Sequence, residues 1–244
     1  MSTFDTEDAD PSWLDAAEAR LAGVPLETWA MMAAGRDWRI TAARDHEALL
    51  LASETLGRFP FGLLLWESAL VLADALAAHR DRLAGAHVLE LGAGVGLSGL
   101  AARALGAKVV QSDYAAEPLA LCRRNARTNA IDGIAWRLAD WTSWRDTTRY
   151  DLIVGSDILY EAESHEALLA ILSANLKPGG TLLVSDPGRQ FTPWFVNRLR
   201  TGGWQVTETR RTVPALQPLH DAETVTVTLI EASHRSKQDA KIAG

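Results

Sequence analysis

The stretch HVLELGAGVGL, residues 87–97, decides the fold of this chain. It is an apolar run that continues into Gly92, Gly94 and Gly96, after which a helical segment begins. Glycine lets the backbone turn sharply and approach a ligand closely, because no Cβ stands in the way. A glycine-rich loop between a strand and a helix is common to proteins that bind dinucleotides or nucleosides. The stretch therefore predicts an α/β domain that binds one of these ligands.

Short apolar runs and helical segments alternate along the chain that follows. The further runs are KVVQSD (108–113), IAWRLAD (134–140), DLIVGSD (151–157) and TLLVSD (181–186). The helical segments between and beside them are expected at about 95–105, 115–129, 161–174 and 192–201. Continuous apolar strands separated by helices indicate a parallel sheet that is covered on both faces.

Two final runs, 204–211 and 223–232, alternate apolar with polar residues and have no helix-length segment between them. They predict an antiparallel hairpin that closes the sheet. With the five earlier runs, the expected fold is α/β, with a Rossmann-like, doubly wound, seven-stranded sheet. This sheet is mostly parallel and ends in a C-terminal antiparallel hairpin.

The N-terminal part of the chain has a weaker pattern. Residues 12–22 have helical spacing, whereas residues 23–60 fit no single period and could form a small subdomain or a lid. A mostly apolar helix is expected from about Gly62 to Ala78. We therefore expect a helical extension or lid at 1–58, the main α/β domain at 59–233 and a mobile tail at 234–244.

The composition argues against several classes of protein. With 24 Lys and Arg against 31 Asp and Glu, the formal net charge is -7, which suits nucleic-acid binding poorly. The single cysteine, Cys122, cannot close an intrachain disulfide, which fits a reducing compartment. The sequence shows neither a membrane-length apolar run nor a signal peptide. We expect a cytoplasmic protein that binds no nucleic acid and no membrane; the oligomeric state stays open.

The register of the glycines separates two classes of ligand. In the dinucleotide pattern G-x-G-x-x-G the first glycine follows the strand directly, and from Gly92 the third glycine position would be Leu97. A match at Gly94, Gly96 and Gly99 begins two residues late. The spacing therefore favours a nucleoside ligand, and a dehydrogenase stays open as a more distant alternative.

Acidic residues follow the next two strands. Asp113 ends the second strand, where a carboxylate can accept both hydroxyls of a ribose. Asp140, followed by Trp141, ends the third strand and could accept a hydrogen bond from an adenine amino group. The structural alternatives are a helix cap for Asp113 and a loop aspartate beside a core tryptophan for Asp140. Since carboxyl ends of parallel strands share one edge of a sheet, we expect a single ligand crevice there.

The glycine loop, Asp113, the LKPGG turn at 176–180 and the closing hairpin resemble class I, seven-β-strand S-adenosylmethionine methyltransferases. The resemblance covers about residues 62–232. The motif Asp157-Ile158-Leu159-Tyr160, together with Trp66 and Asp140-Trp141, is similar to the family that methylates lysine, and in some members histidine or arginine, on non-histone proteins.

This resemblance implies an N-methyltransferase that uses S-adenosyl-L-methionine and acts on a protein substrate. Asp157 and Tyr160 would face the accepting nitrogen, and Trp66 would border the methionine end of the cofactor. Glu90 needs a partner if it is buried in its strand, and the methionine amino group is the candidate. The implied cofactor residues are Trp66, Glu90, Gly92, Gly94, Gly96, Asp113, Asp140, Trp141 and Ser156.

Other interpretations remain at this stage. Asp157 and Asp186 could imitate two ligands of magnesium-dependent, catechol-type enzymes, but Pro187 stands where an amide ligand is wanted, so no metal is expected. Asp157 could cap the following helix, Tyr160 and Trp66 could serve only packing, and His165 is expected to face solvent. The whole chain could instead methylate a small amine or heterocycle under its N-terminal segment, or bind the cofactor without catalysis.

Overall fold

The computed structural model describes residues 11–57, 59–216 and 223–234. Its helices are α1 (Trp13–Arg20), α2 (His46–Leu56), α3 (Glu67–Ala78), α4 (Arg80–Leu83), α5 (Leu97–Ala104), α6 (Ala116–Thr128), α7 (His165–Asn175) and α8 (Thr192–Thr201). Its strands are β1 (Leu26–Ala33), β2 (Arg36–Ala43), β3 (His87–Leu91), β4 (Lys108–Asp113), β5 (Ile134–Leu138), β6 (Tyr150–Ser156), β7 (Leu176–Asp186), β8 (Trp204–Pro214) and β9 (Thr224–His234). Short 3₁₀ helices lie at Phe61–Leu63, Trp141–Ser143 and Ala162–Ser164.

Seven strands form one sheet in the order β5-β4-β3-β6-β7-β9-β8. The neighbours from β5 to β7 are parallel, whereas β9 is antiparallel to both β7 and β8. The predicted seven-stranded sheet with its closing hairpin is confirmed. The strand order reverses at β3, so β4 and β6 lie on opposite sides of it. At such a point the following loops diverge and leave a crevice at the carboxyl ends of the strands.

Alternate residues of the central strands face two separate cores, because successive side chains in a strand point to opposite faces. Val88 joins the core that includes α3, α5 and α6, and its neighbour Leu89 joins the core that includes α7 and α8. Both side chains are fully buried. The sheet is therefore covered on both faces, which is why its strands are continuous apolar runs.

The N-terminal segment differs from the helical extension expected from the sequence. Between α1 and α2, strands β1 and β2 form an antiparallel hairpin. Its turn uses Ala34 and Gly35, with φ of 56° and 71°. The apolar run at 29–34 hides the two-residue period of a strand, and the turn carries no Asn-Gly or Asp-Gly signal.

Two asparagines of α6 hold this hairpin against the main domain. The Asn125 side chain accepts a hydrogen bond from the backbone N of Thr41 (2.7 Å) and donates one to the backbone carbonyl of Thr41 (3.0 Å). Asn129 makes the same pair of bonds with Arg39, each at 2.9 Å. Since the asparagines are four residues apart, their amides lie on one face of α6 and meet the same edge of β2 at every second residue. The hairpin is an integral part of the fold.

Smaller differences concern the ends of elements. Helix α3 begins at Glu67, well after Gly62, because a 3₁₀ turn and an extended Trp66 (φ -101°, ψ 146°) precede it. The LKPGG segment belongs to β7, whose pairing with β6 shifts register there. Of the expected tail only His234 is described; residues 235–244 lie outside the described part of the chain. No helix in the described residues is long and apolar enough to cross a membrane.

Candidate active site

A cavity of about 380 Å³ lies at the carboxyl ends of β3, β4 and β6. It brings together all of the sequence-predicted site residues except Glu90: Trp66, Gly92, Gly94, Gly96, Asp113, Asp140, Trp141, Ser156, Asp157 and Tyr160. The sequence analysis missed six polar or aromatic lining residues, Phe61, Tyr114, Thr142, Glu161, Glu163 and Ser164. No described residue of the N-terminal segment 11–57 lines this cavity.

The glycine loop needs its glycines for conformation and for space. Gly92, Gly94 and Gly96 have φ of 62°, 54° and 89°, in the left-handed region that favours glycine. A Cβ on Gly96 would stand 2.8 Å from Cys122 Sγ, and one on Gly92 would stand 2.8 Å from Ile158 Cγ2. The loop thus presents its backbone to the cavity, and a side chain at Gly92 or Gly96 would clash with a neighbouring side chain.

Glu90 lies behind this loop. Its Oε2 accepts hydrogen bonds from the Gly99 backbone N (3.1 Å) and from Gln111 Nε2 (2.8 Å), and Gln111 also donates to the Gly96 carbonyl (2.9 Å). Burial raises the pKa of the Glu90 carboxyl to about 7, although the bonds from Gln111 and Gly99 act in the opposite direction. In this structure the Glu90 carboxylate supports the glycine loop through Gln111, and its contact with a methionine amino group stays a prediction.

Asp113 and Asp140 stand where the sequence predicted them, and each also organises its own loop. Asp113 is buried and accepts hydrogen bonds from the backbone N atoms of Gly94 (3.1 Å) and Ala115 (3.0 Å). Asp140 is exposed and accepts bonds from the Thr142 N and Oγ1, both at 2.8 Å, which lower its pKa. Asp140 thus caps the 3₁₀ helix Trp141–Ser143, whereas Asp113 does not cap α6, whose N-cap residue is Ala115. Both carboxylates also line the cavity.

Asp157 is held in an unusual position. Its φ of 53° is left-handed, and its N donates to the Ser185 carbonyl at 2.8 Å. Both carboxylate oxygens accept hydrogen bonds from Arg189, from Nε at 2.7 Å and from Nη2 at 2.5 Å. Burial raises the pKa of the Asp157 carboxyl, and the Arg189 guanidinium acts against this rise. Its carboxylate does not cap a helix: it forms a bidentate ion pair that the sequence analysis missed.

Aromatic rings form the wall beside Asp157. The Tyr160 and Phe61 ring centroids are 6.2 Å apart, and Trp66 Nε1 donates to the Phe61 carbonyl at 3.2 Å. Tyr160 is half-buried, and burial raises the pKa of its hydroxyl. His165, in contrast, is fully buried and lies 3.1 Å from the Leu159 carbonyl through Nε2, so the expectation that it faces solvent was wrong.

Asp186 does not face the cavity. Its Oδ1 accepts hydrogen bonds from the backbone N atoms of Gly188 (2.8 Å) and Arg189 (2.9 Å), so the carboxylate fixes the loop after β7. Within the described ranges no group of three or more His, Cys, Asp or Glu side chains could hold a metal ion.

Fold and site together define the class of protein: a class I methyltransferase with its cofactor crevice at the switch point of the sheet. The family model described as lysine methyltransferase matches residues 44–192, more than half of the chain, and the chain belongs to that family. It is therefore an S-adenosylmethionine-dependent methyltransferase of the protein-modifying kind, as the sequence predicted. The cavity fits this cofactor, since it combines a bare backbone wall at the glycines with carboxylate acceptors and aromatic rings.

Two named relatives agree with this assignment, and a solved structure shares the fold. The chain is 36% identical over 169 residues to the histone-arginine methyltransferase METTL23 of Xenopus laevis, covering 67% of this chain and 68% of that protein. It is 36% identical over 110 residues to the protein N-lysine methyltransferase METTL21A of Xenopus tropicalis, covering 43% of this chain and 51% of that protein. The 16S rRNA methyltransferase RsmC of T. thermophilus shares the fold, with a TM-score of 0.59 and 18% identity over 86% of this chain and 51% of that one.

Proposed function

We propose that this chain transfers a methyl group from S-adenosylmethionine to a lysine side chain of a protein. The observation that carries the proposal is the composition of the cavity, which joins the glycine loop and Asp113 on one side to Asp157 and Tyr160 on the other. The exposed carboxylates of Glu161 and Glu163 stand at the same cavity. An acidic rim favours the approach of a cationic side chain, and the net charge of -7 adds to that attraction.

In this proposal the glycine-loop side of the cavity holds the cofactor. The Asp113 carboxylate accepts the ribose hydroxyls, Asp140 accepts from the adenine amino group and Trp141 flanks the base. Ser156 and Trp66 border the methionine end. The cofactor supplies an electrophilic methyl group on a positively charged sulfur. Most of the acceleration then comes from holding the accepting nitrogen close to that methyl and in line with it.

The residues beside the methyl group act on the amine. A lysine amine has a reference pKa of about 10.4 and must lose a proton before its nitrogen lone pair can attack. The Asp157 carboxylate accepts a hydrogen bond from the amine and stabilises the positive charge that develops as the C–N bond forms and the electron pair of the C–S bond returns to sulfur. Tyr160 accepts a hydrogen bond from the amine through its hydroxyl oxygen and, with Trp66, forms the wall that excludes water. The proton that the ammonium group loses before the attack leaves to solvent.

Arginine is the second candidate acceptor. The relative at 36% identity is named a histone-arginine methyltransferase. A guanidinium keeps its positive charge throughout, and the acidic rim suits that charge.

Compartment and partner class belong to the same proposal: the acidic chain and its single buried cysteine support a cytoplasmic enzyme that acts on protein and not on nucleic acid.

The test is transfer of a radiolabelled methyl group from S-adenosylmethionine. Core histones and matched peptides with Lys, Arg, His or Ala at one central position serve as acceptors, and mass spectrometry locates the label. We expect label on lysine with the wild-type chain and far less with Asp157→Asn. Label on arginine alone would favour the second candidate. Label on small amines but on no protein or peptide would contradict the proposal.

A further inference from the structure

Arg189 is a cationic residue that pairs with Asp157 at the edge of the cavity, and the sequence motif gave it no role. It follows β7 in the loop that ends at α8, and its guanidinium meets Asp157 through two parallel hydrogen bonds of 2.7 and 2.5 Å. The Arg189 side chain is 38% exposed, whereas that of Asp157 is 5% exposed. The arginine thus approaches from the outer side of a carboxylate that lines the cavity.

The position of Arg189 is fixed from two directions. Its backbone N donates to Asp186 Oδ1 at 2.9 Å, so the buried carboxylate at the end of β7 sets the course of the loop. Its guanidinium carbon lies 5.9 Å from the centre of the Trp66 ring, within the range of a cation–π contact. A planar guanidinium that is held in this way also fixes the plane of the carboxylate it binds, because the two groups pair fork to fork.

Each carboxylate oxygen has two lone pairs, and Arg189 engages one on each. The remaining lone pair of each Asp157 oxygen is available to a group in the cavity. We propose that Arg189 is a positioning residue: it orients the Asp157 carboxylate and keeps it ionised, so that Asp157 offers the acceptor nitrogen a hydrogen-bond acceptor in a fixed direction. This inference rests on the proposed function, since it assigns Arg189 a role through Asp157.

The electrostatics around Asp157 support this role. The carboxyl is buried, and the other charged groups that act on it, Asp186 of β7 and Glu67 of α3, are acidic and disfavour its ionised form. Arg189 is the cation that opposes them. Removal of the arginine therefore leaves burial and two acids to raise the pKa of Asp157 further. Activity that needs the carboxylate is then lost at a higher pH on the acidic side of the profile.

The test measures kcat, its pH profile and the affinity for S-adenosylmethionine. The substrate is the acceptor that the labelling experiment identifies. The variants are Arg189→Met, Arg189→Lys, Asp157→Asn and the double variant Asp157→Asn/Arg189→Met. If Asp157 no longer holds its charge-assisted hydrogen bond with the substrate nitrogen, kcat of Arg189→Met should fall by about 10- to 100-fold. We expect the acidic limb of its profile to move to higher pH, cofactor affinity to stay within about threefold, and Arg189→Lys to recover part of kcat. Arg200→Met is the control, because Arg200 pairs with the partly exposed Glu208 and neither residue lines the cavity.

The double variant separates positioning from general support. If Arg189 acts through Asp157, its replacement should change kcat no further in the Asp157→Asn background. Equal losses in both backgrounds, an unshifted pH profile, or a parallel loss of cofactor affinity would each overturn the inference. If Asp157→Asn itself keeps wild-type kcat, the proposed function of the site fails as well; if only Arg189→Met keeps it, the failure is limited to the role of Arg189.

Discussion

Replacing Glu90 by Gln should change how the stability of the chain depends on pH. Burial raises the pKa of Glu90 from its ordinary value of 4.5 to about 7, so between these values the native state holds a proton that the unfolded chain has released. When the native state binds more protons than the unfolded state, the free energy of unfolding falls as pH rises. The stability that the protonated Glu90 contributes to the native state is therefore fully present below pH 4.5, and it is lost as pH rises to about 7.

The magnitude follows from the size of the shift. The difference of about 2.5 units between 4.5 and 7 amounts to about 3 kcal/mol at 1.36 kcal/mol per unit. Gln has the shape of Glu and does not titrate, and its carbonyl oxygen can accept the same bonds from Gly99 and Gln111 that Glu90 Oε2 accepts now. The variant should thus lose the pH dependence with little change in packing.

Urea unfolding at 25 °C between pH 5 and 8 measures the effect. Wild type and Glu90→Gln share every other titrating group, so the difference between their unfolding free energies isolates Glu90. We expect that difference to shift by about 2 kcal/mol in favour of the variant as pH rises from 5 to 7, and then to approach a constant value. Glu166→Gln, at a side chain that is 64% exposed, controls for removal of a surface carboxylate. Parallel curves for wild type and Glu90→Gln would refute the reasoning.

Three further predictions test other parts of the structure. Asp113→Ala should weaken S-adenosylmethionine binding by about 10- to 100-fold, the equivalent of one or two charge-assisted hydrogen bonds, and unchanged affinity in calorimetric titration would contradict the ribose assignment. Gly96→Ala should lower unfolding stability by about 1–3 kcal/mol, because its φ is 89° and the new Cβ would stand 2.8 Å from Cys122 Sγ; an unchanged melting temperature would count against this packing. Arg123→Met removes a buried guanidinium that binds Glu18 of α1 at 2.7 Å, so limited proteolysis should cut near α1 sooner while cofactor affinity stays the same; a large loss of affinity would show that the N-terminal segment acts on the site.

The sheet could be predicted from the sequence because its signal is local and strong. Strands buried on both faces are continuous apolar runs, and each run is followed by a helix of ordinary length. The β1–β2 hairpin could not be predicted in the same way. Its stability comes from side chains far along the chain, namely Asn125 and Asn129, whose amides pair with the edge of β2. Nothing in residues 23–60 alone indicates that partner.

The alternation of side chains along β3 predicts the face of the sheet on which Glu90 lies. Leu89 and Leu91 both belong to the core of α7 and α8, so Glu90 must share the opposite face with Val88. That face meets α5, where the Gly99 N donates to the carboxylate. The period of the strand therefore sets the direction of the Glu90 side chain, and its ligand contact stays a prediction.

The ion pair of Asp157 and Arg189 depends on the order of the strands, which is why no local pattern reveals it. Adjacent residues at the end of β7 fix both partners: the Ser185 carbonyl accepts from the Asp157 N, and Asp186 Oδ1 accepts from the Arg189 N. These contacts exist because β7 lies beside β6 with Ser156 opposite Ser185. The left-handed φ of Asp157 costs about 1–3 kcal/mol, and the bonds at both ends of the pair hold the backbone in that conformation. The same strand that completes the sheet thereby sets the direction in which the Asp157 carboxylate faces the cavity.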